Sequence, residues 1–142
     1  MLTTKRLRLV PHAPEHFEAY AEFWAKDPGP FLRGLAPMHQ SDAWTRLLRH
    51  YGHWTAFGYG PFLGFDENNV LVAEAGYLDF KRGVSERFDG VPEGMWKVDL
   101  AEQGKGYASE AMAAITAWLS YSFSPGSCST GWRRPRPSAR AS

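Results

Sequence analysis

Along the first ten residues Leu7 and Leu9 alternate with Arg6 and Arg8, a period of two that predicts a strand over 5–10 with one buried face. Further on the period lengthens. Pro14 suits the first turn of a helix, and Phe17, Tyr20, Phe23 and Trp24 fall on one helical stripe, so a helix is predicted to about residue 26. Asp27-Pro28-Gly29-Pro30 should stop it, because proline lacks a backbone donor and glycine opens conformations closed to other residues. Ser41 stands where a cap belongs, and Trp44, Leu47, Leu48 and Tyr51 repeat at i, i+3, i+4 and i+7. This second helix would bury that stripe and leave Arg46 and Arg49 facing water.

Residues 59–65 and 70–80 then read as strands joined by the turn Glu67-Asn68-Asn69, an antiparallel hairpin. Residues 81–92 are polar and contain glycine, after which Met95, Trp96, Val98 and Leu100 mark another strand. A final helix, running to about Ser122, carries Ala108, Ala111, Met112, Ile115 and Leu119 on one face, where small alanines permit close approach to a sheet. The order β-α-α-β-β-β-α predicts an α/β (α+β) fold with a mixed, mostly antiparallel sheet flanked by helices. One domain is expected over 1–122. Residues 123–142, biased toward Arg, Pro and Ser, carry no strand pattern and read as a disordered tail.

Composition narrows the function. With 142 residues, 44% hydrophobic and 22% charged, the chain fits one soluble domain. A net charge of +1 gives no overall sign of a nucleic-acid binder, so an anionic ligand would have to be met locally. Cys128 is the only cysteine, which excludes an internal disulfide and agrees with a reducing, cytoplasmic setting. No apolar run approaches the roughly 20 residues of a membrane span, and the N-terminus alternates charge with leucine where an export signal would be continuously apolar. His12, His16, His39, His50 and His53 have no Cys or acidic companion at zinc-site spacing, so no metal is assigned. His50 and His53, near the end of the second helix, read as capping or exposed side chains.

The chemistry concentrates in Gln103-Gly104-Lys105-Gly106-Tyr107-Ala108, between an apolar strand and an amphipathic helix. Glycines there let backbone N–H groups converge, and the helix start adds unsatisfied donors and partial positive charge. Such a corner suits a pyrophosphate, with Lys105 able to assist. It is neither a P-loop, since Asp99 and Gly106 stand where Gly and Ser or Thr are needed, nor a dinucleotide fingerprint, since Ser109 stands at its last small position.

The motif of Gln or Arg, two residues, Gly, any residue, then Gly or Ala is met by Gln103, Gly106 and Ala108. It resembles the acetyl-CoA loop of the GNAT superfamily of N-acetyltransferases. The longer run to Ser109-Glu110-Ala111, with Thr4-Lys5-Arg6-Leu7-Arg8-Leu9 and Val72-Ala73-Glu74-Ala75-Gly76, is similar to the branch that acetylates ribosomal-protein N-termini. The likeness covers about residues 3–122. It implies acetyl-CoA as cosubstrate and a primary amine, a protein N-terminus or a small amine, attacking the thioester directly. The backbone of Val98, Asp99 and Leu100 would meet the pantetheine and thioester, and residues Gln103 to Ala108 the pyrophosphate.

Glu93 matches a position where related enzymes relay the amine proton through water, although a solvated strand-end carboxylate is an equal reading. The early aromatic helices would wall the acceptor cleft, and residues 81–92 would select the acceptor or form an ordinary solvated loop. The family's fifth strand, fourth helix and final hairpin have no counterpart after residue 122, so the C-terminal β-α-β part is expected to be missing. That leaves a working acetyltransferase and a truncated, inactive remnant both open, with an anion- or CoA-binding module as a further alternative.

Overall fold

The computed structural model describes residues 1–26, 37–79 and 92–123. Five antiparallel strands form one sheet in chain order: β1 (Leu2–Thr3), β2 (Arg8–Pro11), β3 (Pro61–Phe65), β4 (Leu71–Leu78) and β5 (Glu93–Val98). Among the described residues three α-helices accompany them, α1 (Phe17–Ala25), α2 (Gln40–Phe57) and α3 (Tyr107–Ser122). Short 3-10 turns at Pro14–His16 and Leu100–Glu102 lead toward α1 and α3. The predicted order holds, with one addition: the chain start folds back so that Leu2 pairs with Leu9.

Alternation along the strands divides the core. Val10, Leu63 and Phe65 pack with Tyr20, Phe23 and Trp24 of α1 and Ala43 and Leu47 of α2. Leu9, Phe62, Ala73 and Ala75 pack on the other face with Ala111 and Ile115 of α3, where the small strand and helix residues allow the close approach expected. Trp54 bridges the layers at the sheet's end, its indole donating to the Pro61 carbonyl at 2.7 Å while its ring meets Phe62 and Trp118.

Two expectations need correction. The buried stripe of α2 is Ala43, Leu47 and His50, so Trp44, Leu48 and Tyr51 are exposed and Arg46 turns inward rather than to water. The bulky apolar residues lie one position off the buried face, because a small alanine and a histidine occupy the close contact with the sheet. The cap of α2 is His39, whose ring accepts from the Ser41 N–H at 3.2 Å. Phe123, which follows α3, stacks edge-on against Tyr59 and Trp118. The predicted Asp27–Pro30 turn, almost all of the 81–92 loop and residues 124–142 lie outside the described residues.

Candidate functional site

Strand β5 ends where Asp99 turns the chain. Its N–H still donates to the Val72 carbonyl at 2.9 Å, its carboxylate accepts from Ala101 N–H at 3.4 Å, and Lys26 reaches it at 2.8 Å. Gln103 then folds back to donate its side-chain amide to the Val98 carbonyl at 3.2 Å. These contacts engage the side chains of Asp99 and Gln103 and one carbonyl of the strand, while Leu100 is exposed. Of the backbone groups assigned to a thioester, the Val98 carbonyl and the Asp99 N–H are thus already bonded within the protein.

After Gln103 the chain makes two left-handed steps, Gly104 at φ 82° and Gly106 at φ 82°. Residues with a Cβ rarely adopt this conformation. Gly106 caps α3 with no side-chain hydrogen bond, so the helix's first N–H groups lack both intrahelical partners and a cap. Among the described residues, chain neighbours aside, nothing lies within 4 Å of where a Cβ on Gly104 would sit, and at Gly106 the nearest such atom is Arg6 Nη2 at 3.6 Å. The result is an open corner lined by backbone donors at a helix's positive end, a geometry that fits a phosphate. Tyr107 and Ala108 begin the helix, half-buried, whereas Lys105 is exposed and paired with Glu102 at 2.7 Å.

Glu93 opens β5 opposite Leu78. Facing residues of an antiparallel pair share a sheet face. Lys97 faces Glu74, so Glu93, Met95 and Lys97 lie on the same side as Glu74, beneath α1 and α2. Burial pushes the Lys97 ammonium down to about 8, where it donates to the Phe23 carbonyl at 3.1 Å and sits 3.8 Å from that ring's centre.

The sequence reading missed a second constellation on this face. Glu74 is fully buried, and donors converge on it: Trp24 Nε1 at 2.8 Å, Tyr20 hydroxyl at 3.3 Å and Arg46 Nη2 at 3.4 Å. The Nε2 atoms of His50 and His12 lie 3.3 and 3.5 Å from the same carboxylate. Burial alone would push the Glu74 carboxyl up, but the imidazoles and the Arg46 guanidinium hold it well below its ordinary value. Burial lowers His50 to about 4, so both partners keep the imidazole neutral and the carboxylate charged at neutral pH.

The three groups bring ligand-type atoms within 4.8 Å of one another, although their separation along the chain gave no zinc-site spacing. Arg46 already balances the one carboxylate, and a divalent ion would add two positive charges to a buried site with no further anion among the described residues. The cluster is therefore read as a cage for a buried carboxylate. Its sequence signal was the lone charge inside the apolar run of β4.

Neither histidine expected to cap α2 or sit exposed does so: His50 is buried, and half-buried His53 has its Nδ1 2.8 Å from the Tyr59 carbonyl beyond the helix and its Nε2 accepting from Asp79 N–H at 3.0 Å.

Residues 6–135 match the family model described as an acetyltransferase (GNAT) domain. The chain belongs to the GNAT acetyltransferase family. Among solved structures this GNAT domain is similar to a Bordetella pertussis protein assigned to the same family, at 31% identity and a TM-score of 0.79, covering 87% of this chain and 73% of that one. An acetyltransferase of Agrobacterium tumefaciens matches at 26% identity and TM-score 0.62, over 84% of this chain and 66% of its own. A GNAT-family acetyltransferase of Bacillus anthracis, at 20% identity and TM-score 0.59 over 86% and 65%, shares the fold. The chain thus spans about two thirds to three quarters of these proteins. No curated protein matches it closely enough to count as a relative. Among the described residues no helix is long and apolar enough to cross a membrane.

Proposed function

We propose that this GNAT domain transfers the acetyl group of acetyl-CoA to a primary amine, a protein N-terminus or a small amine. The observation that supports it most is the uncapped start of α3 behind two left-handed glycines. The backbone of residues Gln103 to Ala108 would hold the pyrophosphate, and the end of β5 around Val98, Asp99 and Leu100 would lie along the pantetheine. The bound thioester supplies an activated acyl carbon. The protein's part is to fix it against the amine and keep that amine uncharged.

Glu93 is the proposed base. It stands at the start of β5 on the face shared with α1 and α2, the side from which the family resemblance brings the acceptor. An α-amine, with a pKa of about 7.7–8.0, loses its proton far more readily than a lysine near 10.4, so a carboxylate acting through water suffices for an N-terminus. A reducing, cytoplasmic setting fits a chain with one cysteine.

Release of the CoA thiol, followed with peptides bearing free N-termini, with lysine and with polyamines, tests the reading. Turnover with at least one amine is expected, and Glu93→Gln should lower it by about 100-fold or more while acetyl-CoA affinity stays the same. Unchanged turnover in Glu93→Gln would remove the residue from the chemistry. A folded chain that binds acetyl-CoA but acetylates none of these amines would defeat the assignment of activity.

A further inference from the structure

We propose that Arg6 binds the cofactor's pyrophosphate, with Glu110 as the brace that holds it there; this rests on the reading of the glycine loop given above. The two residues lie 104 positions apart, yet Arg6 Nε donates to Glu110 Oε1 at 2.8 Å and Arg6 N–H to Oε2 at 3.0 Å. Thr4 hydroxyl donates to the same Oε2. The segment carrying Arg6 is itself closed by hydrogen bonds, Thr4 N–H to the Leu7 carbonyl at 2.8 Å and Leu7 N–H to the Thr4 hydroxyl at 3.0 Å. Arg6 is therefore fixed from its backbone outward.

The guanidinium lies over the Tyr107 ring, 4.3 Å from its centre. Its Nη2 sits 3.6 Å from where a Cβ on Gly106 would stand, at the mouth of the open corner. Only Nε is bonded to a carboxylate; neither terminal nitrogen donates to another described residue. Glu110 engages one edge of the fork and leaves the other for an anion, which a planar guanidinium can meet with two parallel bonds. The carboxylate accepts three donors from this segment, which fits it for the part of a brace. Lys105, the cation the sequence offered for this task, is held by Glu102 instead.

Calorimetric titration of the full chain and its Arg6→Met variant with acetyl-CoA, with its analogue lacking the 3′-phosphate, and with S-acetylpantetheine tests the assignment. Both phosphate-bearing donors should lose about tenfold or more in affinity, the loss of one charge-assisted contact, whereas S-acetylpantetheine should bind as before. Arg6→Lys, which keeps the cation but loses the fork, and Glu110→Gln, which keeps Arg6 but neutralises its brace, should show the same pattern with a smaller loss. They carry the test if Arg6→Met fails to fold by thermal melting. Unchanged acetyl-CoA affinity, equal weakening of S-acetylpantetheine, or a loss confined to the donor with the 3′-phosphate would each overturn the assignment. A wild-type chain that binds no acetyl-CoA would overturn the cofactor reading as well, whereas normal wild-type binding with unaffected variants would overturn only the role of Arg6.

Discussion

Glu74 shows how far one side chain can organise its surroundings. It draws donors from α1 through Tyr20 and Trp24 and from α2 through Arg46, with His50 and His12 Nε2 set 3.3 and 3.5 Å from the same carboxylate. Removing its charge would leave the Arg46 guanidinium, itself largely covered, without its carboxylate. Glu74→Gln should therefore cost roughly 3 kcal/mol by urea unfolding; a change under about 0.5 kcal/mol would contradict the cage.

The same residues set a pH dependence. His50 titrates near 4 in the fold and near 6.5 when unfolded, so between those values the unfolded chain binds the extra proton. The His50 contribution to stability should be full above about pH 6.5 and decline as the pH falls toward 4. Glu74, held below its ordinary carboxylate value of 4.5, extends the loss to lower pH. Urea midpoints at pH 7.5 and 5 measure it, and a midpoint that does not move would refute the buried neutral imidazole.

Among the elements, β4 is the most constrained. Gly76 passes so close to β3 that a Cβ would lie 2.7 Å from Pro61 Cα and 2.9 Å from the Gly60 carbonyl oxygen. Both are backbone atoms that cannot rotate away. Gly76→Ala should destabilise by about 2 kcal/mol or more in denaturant titration, and an unaltered midpoint would show that the strands can separate freely. Element order was legible because strand and helix periods differ and the amphipathic runs are long. The face of α2 was not, because size cannot be read from a hydrophobic pattern: Ala43 and His50 are buried where Trp44 and Tyr51 are exposed. The glycine loop was legible as local chemistry, since its strand, glycines and helix are contiguous. Arg6 with Glu110, and His12 with His50 and Glu74, were hidden because folding alone brings such distant positions together.

For the whole molecule, the sheet carries an aromatic helical layer on one face and α3 on the other, and the open corner lies where β5 passes into α3. This arrangement places the open corner beside a strand whose residues alternate toward the α1 and α2 face, the layout that the proposed meeting of acyl donor and amine needs. A ligand that binds only the folded chain must stabilise it, by about 2.7 kcal/mol at a hundredfold excess over Kd, so acetyl-CoA should raise the melting temperature. The most direct test is calorimetric titration of the chain with acetyl-CoA beside Gly106→Glu, which puts bulk, negative charge and a disfavoured backbone conformation into the corner. Saturable one-site binding to the wild type, abolished in a variant that still folds, is the predicted result. A folded wild type that takes up no acetyl-CoA, or a Gly106→Glu chain that binds it equally well, would contradict the account.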